Sequence, residues 1–248
     1  MKPDTRVSRR LIKRLSLDAL MLALILVEFA YPLTGNLVHE LIGIGMLVLF
    51  LVHGGLNWQW FLTLRKGRYN GLRRVSVSVN ALLLAAALML ILSGLLNSHL
   101  LSSLAGFEFH FLPRELHTAA AYWFLILMAV HLGLHWKTVL AEARNLPGGA
   151  RPSRLRRIAL PAISVAIAIA GIHASFERGV LSKLSAYYSF DYWDFDGSVA
   201  GFFIQYLSIV GLYASLAYYA LQWHSSRKRS PGRLRPGLLS AIGALRKR

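Results

Sequence analysis

Cysteine is absent from the 248 residues. That excludes disulfides, thiolate-held iron–sulfur clusters and the C-x-x-C-H attachment of c-type haem, so any redox metal here is held non-covalently by other ligands. Charge is scarce too: charged residues make up 16% of the chain against 55% hydrophobic, and acids number 11 against 28 Lys and Arg. With a positive mean hydropathy, this composition argues against a soluble protein. No G-x-G-x-x-G fingerprint occurs, so a nicotinamide or flavin would belong to another subunit.

What is present is a set of long apolar runs. Six spans are expected, at 17–34, 36–62, 77–97, 115–138, 158–174 and 200–223, each near the ~20 apolar residues of a bilayer crossing. The first is read as a span and not a cleavable signal, because it lacks a small-residue cleavage site and a histidine-bearing span follows at once. The net charge of +17 invites a nucleic-acid reading, but its distribution opposes it. The N-terminus to Arg14, segments 65–74 and 137–157, and the tail after His224 hold 25 of the 28 Lys and Arg. Only Arg114, Arg178 and Lys183 fall on the other side. This alternation is the positive-inside pattern, which places both termini in the cytoplasm and leaves no charge for nucleic acid to explain.

A repeat organises the first half. Val52-His53-Gly54-Gly55-Leu56-Asn57-Trp58 returns 78 residues later as Val130-His131-Leu132-Gly133-Leu134-His135-Trp136, and His39 and His117 precede the two copies by 14 residues. On a helix, 14 residues advance about 21 Å and return to within about 40° of the same face. Each helix therefore presents two imidazoles at two depths. Thr34-Gly35 and Ser93-Gly94 close the odd spans, so spans one and two form a hairpin that spans three and four repeat. Spans two and four then run parallel, which brings His39 level with His117 and His53 level with His131.

A membrane histidine is costly unless compensated. Four at matched spacing fit two six-coordinate b-type haems, each iron held by one histidine from either helix, an arrangement suited to electron transfer. The other reading is hydrogen bonding across helices or a proton path. A zinc site is disfavoured, because the two histidines of one helix lie too far apart to share an ion. Gly43, Gly45, Ala85–Ala87 and Ala119–Ala121 leave room for a macrocycle edge, though small residues also serve ordinary helix packing.

Other residues have lesser expectations. His135 lies one turn beyond His131 and admits a register with His53, but Asn57 holds its place in the first copy, which favours an interfacial role or one behind the ligands. Arg114, three residues before His117, is a candidate partner for a haem propionate or an interface anchor. Glu28 either orients a ligand, accepts a proton or reaches water. His99, His110, His173 and His224 read as interfacial, and Trp58, Trp60 and Trp136 as interface anchors. Asp191-x-x-Asp194-x-Asp196-Gly197 only faintly resembles a calcium loop, lacking its closing glutamate.

Thr34-Gly35, His39, His53-x-x-x-Asn57-Trp58, Ser93-Gly94, His117 and His131-x-x-x-His135-Trp136 resemble the flavinylation-associated cytochromes, a family similar in its core to di-haem cytochrome b. The resemblance covers about 17–140. It implies haem ligation by His39, His53, His117 and His131, and electron exchange with an extracytoplasmic flavoprotein or a related redox partner.

The expected protein is all-α and integral to the cytoplasmic (inner) membrane: a basic N-terminus 1–16, a cytochrome b-like four-helix di-haem core 17–140, a cytoplasmic loop 141–157, a two-helix extension 158–224 with an aromatic outer loop 175–199, and a basic tail 225–248 lying on anionic lipid. Spans five and six are expected as lipid-facing additions. The protein would carry electrons between a cytoplasmic or quinone partner and an outer one, as a cytochrome subunit. The rival readings are a stand-alone transmembrane ferric or quinone reductase, and a haem-free transporter or scaffold.

Overall fold

The computed structural model describes residues 5–106, 114–144, 154–186 and 197–229. Loop 107–113 with His110, most of the cytoplasmic loop, the Asp191–Asp196 stretch and the basic tail from Ser230 onward lie outside the described residues. Every regular element among those described is a helix: α1 Thr5–Phe29, α2 Tyr31–Leu56, α3 Trp58–Thr63, α4 Gly71–Leu96, α5 His99–Ala105, α6 Arg114–Arg144, α7 Arg154–Glu177, α8 Val180–Leu184 and α9 Val199–Arg229.

Local chemistry sets the boundaries. Asn70 caps α4 by accepting from the Arg73 N–H at 2.9 Å, and Ser98 caps α5 by accepting from Leu101 N–H at 3.0 Å. Gly106 ends α5 in the left-handed conformation at φ 73°, which a residue without Cβ adopts freely.

Five helices are long and apolar enough to cross a membrane: Tyr31–Leu56, Gly71–Leu96, Arg114–Ala141, Ile158–Glu177 and Val199–Ser226. Their outer faces carry large exposed apolar side chains. On α2, Leu37, Leu41, Ile44, Val48 and Leu51 form one such stripe at helical spacing. Among the described residues, these five helices have the length and apolar surface that point to a membrane protein.

The expected first span, 17–34, is not one helix. α1 ends at Phe29 and a new helix starts at Tyr31, with Pro32 in its first turn, where its missing N–H costs nothing. Gly35 then takes φ 77°, ψ 172°, kinking α2 near its start. α1 does not join the five because charged residues at both ends, from Arg6 to Asp18 and at Glu28, leave only a short uninterrupted apolar run.

The helices associate as antiparallel hairpins. Arg14 reaches the Leu56 carbonyl at 3.0 Å, Asp18 lies against His53 and Glu28 against His39, so α1 runs the length of α2's histidine segment. α4 and α6 pair likewise, Asn80 against His131 and Ser93 against His117.

The buried core differs from the expected one. Ile25, Leu26 and Ala30 near the end of α1, Tyr122, Leu125, Ile126 and Ala129 of α6, and Phe202, Tyr206, Ile209 and Val210 of α9 form it, with Ala174 and Val180. α9 is thus a central helix, not a lipid-facing addition, whereas α2 contributes no buried residue. Small residues explain the position of α9. A Cβ on Gly133 would collide with the Ala214 carbonyl, and one on Gly171 with the Ser208 carbonyl, so α6 and α7 both approach its backbone directly.

Candidate functional site

The four repeat histidines share one arrangement. Nδ1 of His39 lies 2.5 Å from Glu28 Oε2, and Nδ1 of His53 lies 2.9 Å from Asp18 Oδ1. Nδ1 of His117 lies 2.9 Å from Ser93 Oγ, and Nδ1 of His131 lies 2.8 Å from Asn80 Oδ1. Every partner comes from the preceding helix of the same hairpin. The Ser93 hydroxyl hydrogen is directed to the Met89 carbonyl at 2.7 Å, so its oxygen is free to accept from His117. Carboxylate and amide oxygens can only accept. An Nδ1–H on each ring satisfies all four partners and makes Nε2 the nitrogen that faces away from the hairpin partner.

The hairpins bring His39 and His117 together, with ring centroids 6.1 Å apart and planes at 78°. Two imidazoles binding one metal from opposite sides, at about 2 Å per bond, place their centroids about 6 Å apart. At the other depth His53 and His131 are each tied to their own hairpin, His53 by Asp18 at 2.9 Å and His131 by Asn80 at 2.8 Å. The helical stripe joining the two levels reads His39, Gly43, Met46, Phe50, His53 on α2 and His117, Ala121, Phe124, Met128, His131 on α6. Met46, Phe124 and Met128 are half-buried against the core.

Glycine serves this region at two positions. A Cβ on Gly94 would lie 3.3 Å from the His117 ring, and one on Gly43 would lie 3.8 Å from Glu28 Oε1. Ala87, Ala119 and Ala120 are instead buried in helix contacts, while Gly45 faces open space.

The remaining candidates separate. His135 stacks at 4.7 Å from His131, and its Nε2 is buried without a hydrogen-bond partner. Asn57 ends α2, donating to the His53 carbonyl at 2.9 Å and lying 3.5 Å from His53 Nε2, the outer limit of a hydrogen bond. Arg114 is exposed at the first turn of α6. His99, His173 and His224 are exposed.

Two features went unread in the sequence. Glu40 accepts from Ser98 Oγ at 2.7 Å and from the His99 and Leu100 N–H groups at 2.9 Å, while Asn36 donates to it at 2.6 Å. It thereby fixes the start of α5 to α2. Lys183, expected only as an outer cation, is 3% exposed and donates to Tyr122 Oη at 3.1 Å, which lies 2.7 Å from Tyr206 Oη. The sole hint was a lysine in an otherwise apolar stretch.

Among the described residues, no three His, Cys, Asp or Glu converge as a metal site. No protein-family model matches the chain, nor does any curated protein or solved structure.

Proposed function

We propose that the chain is a membrane b-type cytochrome that holds two haems, one between His39 and His117 and one between His53 and His131. The observation that carries this reading is the common Nδ1 arrangement: four histidines at two depths, each with Nδ1 engaged by a group on the neighbouring helix of its hairpin, so that Nε2 is the nitrogen that would meet iron. The 6.1 Å separation of the His39 and His117 rings supports it, as does the lack of any buried residue on α2, the helix that would lie along both groups. Bound haem supplies reversible one-electron transfer. The protein's residues fix ligand identity, tautomer and spacing, and the apolar side chains between the two levels exclude water. His135 and Arg114 remain candidates for the haem edges.

In this reading α1 is a sixth crossing, because it runs antiparallel to α2 from Asp18 at one histidine level to Glu28 at the other. Both termini then lie on the cytoplasmic side of the inner membrane, in keeping with the basic loops. Electrons pass to or from an extracytoplasmic partner, a flavoprotein or a quinone, at the His39 end.

A reduced-minus-oxidised spectrum with haem quantification on purified protein tests the reading. Two b haems per chain are expected, and His53→Ala and His131→Ala should each remove the same one. A colourless protein refutes it. The second reading, a haem-free proton path, is favoured only by the two histidine–carboxylate pairs on α1 and α2; it predicts colourless protein whose transport fails on Asp18→Asn.

A further inference from the structure

The groups behind the four histidines differ in charge by hairpin. His39 and His53, both on α2, are backed by the carboxylates of Glu28 and Asp18. His117 and His131, both on α6, are backed by a hydroxyl and an amide. Each pair crosses the hairpins, so each pair joins one carboxylate-backed ring to one neutral-backed ring. An Nδ1 proton shared with a carboxylate leaves negative charge on the ring and makes Nε2 the stronger donor. Stronger donation favours ferric over ferrous iron, and ligand basicity is one of the levers by which a protein sets a haem's potential.

The two carboxylates are not equivalent. The Glu28 side chain is 18% exposed, its Oε1 is buried without a hydrogen-bond partner, and Oε2 faces His39 at 2.5 Å. Among the described residues, no other side chain bonds to its carboxylate. Asp18 is 52% exposed, so water and salt screen it. Glu40, the other acid near His39, is occupied by its own four donors.

Resting on the haem reading above, we propose that Glu28 and Asp18 are positioning residues that make the α2 histidine the electron-rich ligand of each haem and lower its midpoint potential, Glu28 more strongly. The α1 helix then acts as the charge-bearing backing of a cytochrome whose other hairpin backs its histidines with neutral groups.

Potentiometric titration of the purified haem protein tests this. Glu28→Gln keeps an acceptor oxygen and removes the charge. It should shift one haem's equilibrium toward the ferrous form about tenfold, equivalent to about 59 mV for one electron. Asp18→Asn should move the other haem in the same direction by less. Asn80→Asp places a carboxylate behind His131 and should move that same haem the opposite way, an inversion that loss of packing does not produce. Two haems with midpoints unmoved in Glu28→Gln overturn the proposal while leaving the haem reading intact. If Glu28→Gln does not accumulate, Asn80→Asp carries the test, and a shift of the wrong sign or none overturns it. Wild-type protein that takes up no haem overturns both.

Discussion

Replacing Ser93 with alanine isolates one hydrogen bond behind one histidine. Ser93 is wholly enclosed, donates to the Met89 carbonyl and accepts the His117 Nδ1–H at 2.9 Å. Alanine is the better helix former by a few tenths of a kcal/mol, and the lost bond back to Met89 is worth little. The dominant effect is a buried N–H without an acceptor, about 1–3 kcal/mol. Removing the group behind a metal-bound histidine typically costs about 10–100-fold in metal affinity, or about 1.4–2.7 kcal/mol, so the two routes agree. In the haem reading, Ser93→Ala should therefore lose the His39–His117 haem about 10–100 times faster to an excess of haem scavenger and keep the other haem. Ser93→Thr, which restores the hydroxyl, should recover most of the loss. A Ser93→Ala protein that holds both haems with loss rates within about twofold of wild type would show that Nδ1 anchoring is not what secures His117.

Gly171→Ala forces a Cβ into the Ser208 carbonyl and should destabilise the protein by about 1–3 kcal/mol in thermal unfolding, whereas Gly54→Ala, with open space around it, should not. Equal effects would refute the close α7–α9 approach. Glu40→Gln leaves fewer acceptors for Ser98, His99 and Leu100, so limited proteolysis should cut near α5 sooner at unchanged haem content. Haem extraction should raise amide exchange in α2, which has no buried residue, more than in α9; a uniform rise would count against haem as α2's missing contact.

The sequence is informative where the signal lies along a single helix. The apolar runs mark the five long helices, and the spacing of His39 and His117, combined with charge topology, sets their rings level, as the 6.1 Å approach has it. Information held between helices is harder to read. Asp18 and Asn80 carry no mark of a histidine partner, because the register of an antiparallel pair is written in neither helix alone. Glu28 stood out as an acid among apolar residues, yet only the fold shows it facing His39. The position of α9 was hidden for another reason: lipid and protein interior are equally apolar, so Ile209 and Leu207 look alike although one is sealed and the other exposed. The break at Ala30 was legible from Pro32, but the apolar run continues past it and masks the change of helix.

The core joins α1 to α9, helices far apart in sequence. Ile25, Leu26 and Ala30 lie near the end of α1 and are made well before Phe202, Tyr206 and Ile209 of α9, with which they share the core. During synthesis the α1–α2 hairpin, with two of the four histidines, must wait in the bilayer with its packing face unmatched until α9 arrives. A chain ending before Val199 should therefore leave a cysteine placed at Ile25 open to labelling, while full-length protein shields it. Burial of the α1 packing face then becomes a late step of synthesis, one that only a chain carrying α9 completes.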